Sequence, residues 1–316
     1  MTRTDDQPTY EGRPLPRPDD EVVDQGLAFD LGTLLDRRRM LAVLGIGAAG
    51  TALAACGAST SSSGSTATGS ATASASATAS ATASDAADTS LTEIPDETAG
   101  PYPGDGSNGA DVLEQSGVVR SDIRSSFGTS TTTAEGVPMT LRLTILDVAA
   151  GGGPMTGAAV YVWHCDSQGR YSMYSDGVTQ ENYLRGVQVT DDSGVVEFTS
   201  VFPACYSGRW PHIHFEVYPD EASITDSTNA IATSQVALPK TTCDTVYATS
   251  GYEQSVSNLA QISLTSDNVF GDDGGVHQLG TVSGDTSSGY TVALTAPVDT
   301  TTQPTGGGAP GGGPGH

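Results

Sequence analysis

Two histidines stand one residue apart in the stretch Arg209-Trp210-Pro211-His212-Ile213-His214-Phe215-Glu216-Val217-Tyr218, and the chain has only five histidines. The stretch reads as a β-strand, where residues i and i+2 point to one face, about 6.5 Å apart along the chain. His212 and His214 can therefore reach one metal ion. On its own a His-x-His pair in a strand is more often structural, so the neighbours decide. Tyr206 lies upstream in a loop marked by Pro203 and Gly208, and Tyr171 closes the turn 166–171 after a strand carrying Trp163 and His164. A tyrosine binds a metal only by losing a proton with an unperturbed pKa of about 10, which takes a strongly acidic ion. Two phenolate oxygens and two imidazoles suit ferric iron better than zinc or calcium. Two phenolates and one hydroxide would cancel the charge of Fe(III), so the centre could sit in a partly dry pocket.

The elements that must position these residues read as strands. Met139–Ile145 alternates apolar and polar strictly, and Ala158–Cys165 is β-branched and aromatic. Two short strands flank Asp191-Asp192-Ser193-Gly194, a good hairpin turn. His212–Tyr218, Ala232–Leu238, Ala260–Thr265 and Tyr290–Ala296 are further strand candidates, and residues 244–260 hold room for one short helix. Many short strands joined by Gly- and Asp-rich connections predict an all-β fold, an antiparallel β-sandwich with long loops and little helix.

With these residues in view, the segments Gly169-Arg170-Tyr171-Ser172 and Cys205–Val217 resemble the intradiol ring-cleavage dioxygenases, non-haem Fe(III) enzymes that open catechols. The resemblance runs from about Thr92 to Leu238. It implies the intradiol type of β-sandwich, one non-haem Fe(III) per chain, and a catechol-type small molecule and O2 as reactants. It further implies Tyr171, Tyr206, His212 and His214 as metal ligands, Tyr206 being the ligand that leaves when substrate binds. Arg209 would stabilise substrate charge, Gln235 would support it from behind, and Thr98, Pro101 and Tyr102 would border the substrate. The implied product is a muconate-type diacid, and the family's habit of dimerising adds a homodimer as an expectation. Two rival readings keep the same residues: a non-catalytic surface-binding sandwich with structural histidines, and a zinc hydrolase. The second lacks a carboxylate clearly placed as general base.

The remaining side chains receive plainer readings. His164 is expected to be buried and hydrogen-bonded, His277 exposed, and Trp210 packed beside the pocket or over Pro211. The Asp/Gly segments at 103–111 and 270–275 read as turns, since they lack the ordered oxygen spacing of a calcium loop. Cys165 is expected to be buried and free. Three pairings are open to Cys165, Cys205 and Cys243, with Cys205–Cys243 the preferred bridge.

The ends of the chain differ in composition from its body. Arg37-Arg38-Arg39 opens an uncharged segment ending Leu53-Ala54-Ala55-Cys56, which describes an export signal over residues 1–55 of a twin-arginine-like kind. Cys56 resembles the lipidated first residue of a bacterial lipoprotein, so the expected location is outside the cell, on the membrane's outer face or secreted. Residues 56–89 read as a Ser/Ala/Thr-rich tether, 90–298 as the folded domain and 299–316 as a Gly/Pro-rich tail. With 13 basic against 37 acidic residues and a net charge of −24, the chain repels nucleic acid and anionic membranes. Its only expected membrane contact is a lipid on Cys56.

Overall fold

The alternation in Met139–Ile145 becomes β1 (Pro138–Asp147), in which Met139, Leu141, Leu143 and Ile145 are buried. The computed structural model describes residues 91–302 and Pro304, and two short antiparallel strands, Thr9–Tyr10 and Arg13–Pro14. Residues 1–89 and 90–316 form separate units. Most of the export signal, Cys56, the tether and most of the C-terminal tail therefore lie outside the described residues. Among the described residues no helix is long and apolar enough to cross a membrane.

The domain continues through β2 (Gly153–Pro154), β3 (Ala159–Trp163), β4 (Arg185–Val189), β5 (Val195–Val201), β6 (His212–Tyr218) and β7 (Ala232–Ala237). Two short helices follow, α1 (Lys240–Tyr247) and α2 (Glu253–Leu259), then β8 (Thr281–Asp285) and β9 (Gly289–Val298). One sheet has the order β8-β9-β1-β2, with β5 also on β1; the other runs β4-β3-β6-β7. Leu141, Leu143, Ile145 and Phe198 of the first sheet share one buried cluster with Val160, Val162, Phe215 and Val217 of the second. Each such side chain contributes about 1.5–3 kcal/mol on burial.

Four details differ from the sequence reading. First, Asp191–Gly194 does not close a hairpin. The strands on either side belong to different sheets, β4 with β3 and β5 with β1, so the turn is a corner between them. Gly194, at φ +72°, is needed there because a Cβ would lie 2.4 Å from the Ile145 carbonyl oxygen. Second, one pair is parallel: β9 runs alongside β1 in that sense, reached by the long crossover that parallel pairing requires. Third, Ala260–Thr265 is turn rather than strand; its alternating Ile262 and Leu264 are only partly buried and pack on the core from a loop. Fourth, residues 244–260 fall in two helices instead of one.

All seven residues of β6 are buried, because both faces of this strand are covered. Val160, Val162, Phe215 and Val217 face each other across β3 and β6, on the apolar side. Tyr161, Trp163, His214 and Glu216 occupy the other side, where His214 pairs with Trp163 on β3 and with Gln235 on β7. That second side is covered by the segment leading into the domain. Glu97 N–H donates to the Thr233 carbonyl (2.7 Å) and Tyr161 Oη donates to the Pro103 carbonyl (2.6 Å). The histidine strand is thus a buried shelf roofed by residues 94–105.

Candidate metal centre

The same-face rule for strands brings His212 and His214 together, with their Nε2 atoms 3.0 Å apart. Tyr206 Oη lies 3.2 Å and Tyr171 Oη 3.4 Å from His212 Nε2. The four residues expected as ligands therefore converge, although they come from one strand and two separate loops. His212 Nδ1 lies 2.5 Å from the Trp210 carbonyl and donates to it, which leaves Nε2 as a bare lone pair. The guanidinium Nη1 of Arg209 also lies 3.4 Å from that lone pair. One lone pair accepts one hydrogen bond, yet four polar groups crowd around it. On His214, Nδ1 is buried without a hydrogen-bond partner, and its ring stacks on Trp163 at 4.8 Å and 7°.

Local sequence explains how the tyrosine loops are held. Asp166 Oδ1 accepts from Gln168 N and Arg170 N, and its Oδ2 accepts from Arg170 Nε and Tyr183 Oη, which fixes the turn before Tyr171. Gly169, at φ +83°, lets the Tyr206 loop approach; a Cβ there would lie 3.1 Å from Tyr206 Cβ. Helix α2 clamps the Tyr206 loop, as Ser255 Oγ accepts from Cys205 N and Asn258 Nδ2 donates to Cys205 O. Tyr171 is buried and Tyr206 is partly exposed, so only the latter borders open space.

Electrostatics makes the cluster neutral as it stands. Burial, reinforced by the positive charge of Arg209, pushes His212 down to about 3. Burial, then His212 and Arg209, also holds His214 well below its ordinary value. Burial raises the Tyr206 phenol to about 12 despite the opposing pull of Arg209, and raises Tyr171 well above its usual value, with Tyr206 adding to the effect. A cation entering here finds two neutral imidazoles ready and must displace two phenol protons. Only a strongly acidic ion does so. Among the described residues no group of three or more His, Cys, Asp or Glu side chains could hold a metal, so a centre here has to use the phenol oxygens. The donor set and the crowded His212 Nε2 lone pair fit a hard trivalent ion such as Fe(III).

The other expected residues are distributed around this cluster as follows. Arg209 Nη2 donates to Gln235 Oε1 (2.6 Å), and Gln235 Nε2 donates to the Thr98 carbonyl (3.0 Å). Thr98 Oγ1 accepts from Gly100 N, and Gly100 rests against the His214 ring. The Tyr102 ring is 5.0 Å from that of Tyr171. Pro101, expected at the substrate border, is solvent-exposed. His164 is buried between the Cys165 carbonyl and Ser200 Oγ (both 2.7 Å), and His277 is exposed. Trp210 is buried and donates from Nε1 to the Leu238 carbonyl. The expected Cys205–Cys243 bridge is absent: all three described cysteines are buried free thiols. They fill space as small apolar groups, with Cys205 Sγ directed at the Arg209 carbonyl (3.5 Å).

Three positioning groups have no signature in the sequence. Trp163 forms the floor under His214. Arg185, fully buried, donates to the carbonyls of Tyr102, Pro103 and Ser172, tying the roof to the Tyr171 loop. Asp267 holds Arg209 through Nε at 3.0 Å. These contacts span from 13 to 83 residues, and no local spacing announces them.

Residues 123–223 match the family model described as Dioxygenase, a range that includes all four clustered residues and Arg209. Among curated proteins, the chain is 40% identical over 55 residues to the chlorocatechol 1,2-dioxygenase of Rhodococcus opacus, covering 17% of this chain and 21% of that one. It is 42% identical over 55 residues to the catechol 1,2-dioxygenase of Candida albicans, covering 17% and 18%. The chain thus matches about a fifth of the length of these relatives. Among solved structures, the intradiol ring-cleavage dioxygenase from Tetranychus urticae superposes with a TM-score of 0.56 at 23% identity, over 69% of this chain and 100% of that one. That likeness concerns the fold.

Proposed function

We propose that the chain is a member of the intradiol ring-cleavage dioxygenase family, which its match to the Dioxygenase model over residues 123–223 supports, and that it binds one Fe(III) through Tyr171, Tyr206, His212 and His214. We further propose that it cleaves a catechol between its hydroxylated carbons with O2, giving a muconate-type diacid. The single observation that carries this reading is the convergence of two phenols, an imidazole and a guanidinium on the His212 Nε2 lone pair within 3.4 Å. When bound, the iron supplies a Lewis-acidic, redox-active centre that makes a chelated catechol reactive toward O2.

The protein's own groups do the rest. Tyr206, the more exposed phenol, is placed to swing toward solvent and take up a catechol proton at Oη. Tyr171, buried against Tyr102, stays in place. The Tyr102 ring and Gly100 wall the site on the roof side and exclude water from it. Arg209 Nη1, aimed at the cluster, offsets negative charge that builds on the ring and on the attacking oxygen.

Charge around the site also narrows the substrate. The ionisable groups that act on Glu97 are Asp272, Arg209 and Asp273, so the surroundings of Arg209 are mainly acidic. Arg209 has Nε on Asp267 and Nη2 on Gln235, while Arg185 is committed to protein oxygens. Neither Arg209 nor Arg185 is left over for a substrate carboxylate, and an uncharged catechol is the expected substrate. The test is oxygen uptake and diacid formation by the iron-loaded protein given catechol or 3,4-dihydroxybenzoate. Catechol should consume one O2 per diacid, with kcat/KM at least about tenfold above the carboxylated analogue, the worth of one unfavourable ~1.4 kcal/mol interaction. No uptake with any catechol would leave a non-catalytic binding module.

A further inference from the structure

Arg209 is held from a part of the chain that the dioxygenase family match does not reach. Asp267 lies in the loop after α2, beyond residue 223, and its side chain is wholly buried. Its Oδ2 accepts from Arg209 Nε (3.0 Å) and from the Trp210 backbone N–H (2.6 Å), and its Oδ1 accepts from Val269 N (2.8 Å) and Phe270 N (3.1 Å). A weaker contact joins Oδ1 to Arg209 Nη2 at 3.5 Å.

We propose that Asp267 is the positioning residue of the site: it sets the guanidinium of Arg209 so that Nη1 faces the metal-ligand cluster, and it secures Trp210, whose carbonyl orients His212. The inference rests on the catechol dioxygenase reading above.

Two independent lines lead from this one carboxylate to the cluster. The first runs through the guanidinium. A planar fork has three edges, and each has a different task here: Nε is fixed by Asp267, Nη2 by Gln235, and Nη1 is directed at His212 Nε2 (3.4 Å). Gln235 alone leaves the fork free to rotate about the Nη2 contact; the second anchor at Nε removes that freedom. The second line runs through the backbone. Trp210 N–H is bound by Asp267, and the Trp210 carbonyl takes the His212 Nδ1 proton at 2.5 Å. Partners of this kind behind a ligand histidine fix its tautomer and ring orientation.

The carboxylate suits the task because it is charged and dry. Burial acts to raise its pKa, but Arg209 and the Trp210 N–H outweigh burial and hold it below the usual carboxylate value. Water cannot take over its contacts at a site with no exposed side-chain surface. A charge-assisted hydrogen bond there is short and directional. Asp267 therefore trades part of the long-range field of Arg209 for a fixed direction.

The test is Asp267→Asn in the full chain. Asparagine can keep its oxygen on Val269 and Phe270 N–H while it turns an NH2 donor against Arg209 Nε and Trp210 N–H. We expect kcat on catechol to fall at least about tenfold, within the range found for groups that support a metal ligand from behind. The visible band of the iron-loaded protein should persist with an altered maximum. In an Arg209→Ala background, adding Asp267→Asn should lower kcat by a clearly smaller factor than in the parent, since only the route through Trp210 and His212 then remains. An unchanged kcat in the single variant would overturn the inference, as would an equal loss in both backgrounds. If Asp267→Asn does not fold, Asp267→Ser, with a smaller hydroxyl acceptor for the turn, goes through the same cycle. A separate readout needs no iron. The Arg209 Nε–H NMR signal should be protected from exchange in the parent protein and lose that protection in the variant. Retained protection would count against the inference even if the chain proved not to be a dioxygenase. Absent turnover with protection lost would instead sink the catechol reading alone.

Discussion

Replacing His212 with alanine is expected to abolish the visible absorption of the iron-loaded protein and to cut catechol turnover by at least about 100-fold. The floor comes from groups one step further out, whose loss already costs 10–100-fold in metal affinity or activity. His212 is where the cluster meets: both phenols, the second imidazole and the guanidinium approach its Nε2. Its removal deletes a donor and the partner of the Trp210 carbonyl together. His164→Ala provides the control. His164 is equally buried and hydrogen-bonded at both nitrogens, but to Cys165 and Ser200 rather than to the cluster. That variant should lose stability and keep its colour. Absorbance, turnover and a circular dichroism melt on both variants separate ligation from packing; a coloured, active His212→Ala protein would remove His212 from the centre.

Arg209→Ala should lower kcat by about 10²–10³-fold while the band remains, the magnitude typical for loss of one group aimed at developing charge. The same variant should also be less stable, because it leaves the Asp267 carboxylate buried with its counter-charge gone. Breaking one side of a buried pair costs about 3–5 kcal/mol. The double variant Arg209→Ala/Asp267→Asn then discriminates between the two roles. Its stability should recover, since no charge is stranded, whereas its kcat should not. Recovery of both would make Arg209 a structural residue only; recovery of neither would point to a different partner for Asp267.

Much of the fold was legible because alternation maps directly onto burial. In β1 the four apolar positions chosen by period two are the four that are buried. Alternation fails where geometry is set from elsewhere. The corner at Asp191–Gly194 has the residues of a hairpin turn, yet β5 is captured by β1 of the other sheet. Ile262 and Leu264 alternate but rest on the core from a turn. The histidine strand hides its own two faces, since a long N-terminal segment roofs one of them. The four clustered residues were readable from type and spacing once the family resemblance was recognised. Asp267, Arg185 and Trp163 were not, because their partners are fixed by the three-dimensional path alone. The Cys205–Cys243 pairing was argued from the expected compartment, whereas in the fold both thiols are buried and free.

The measurement that bears most directly on the central claim is the visible absorption spectrum of the purified iron-loaded protein, recorded before and after catechol is added without oxygen. Tyrosinate ligation predicts a charge-transfer band in the resting protein that moves to longer wavelength when catechol chelates the metal, that is weakened and shifted in Tyr171→Phe, and that is lost in the double variant Tyr171→Phe/Tyr206→Phe. A protein that stays colourless after iron is supplied would contradict the account, however well the two histidines and two tyrosines converge.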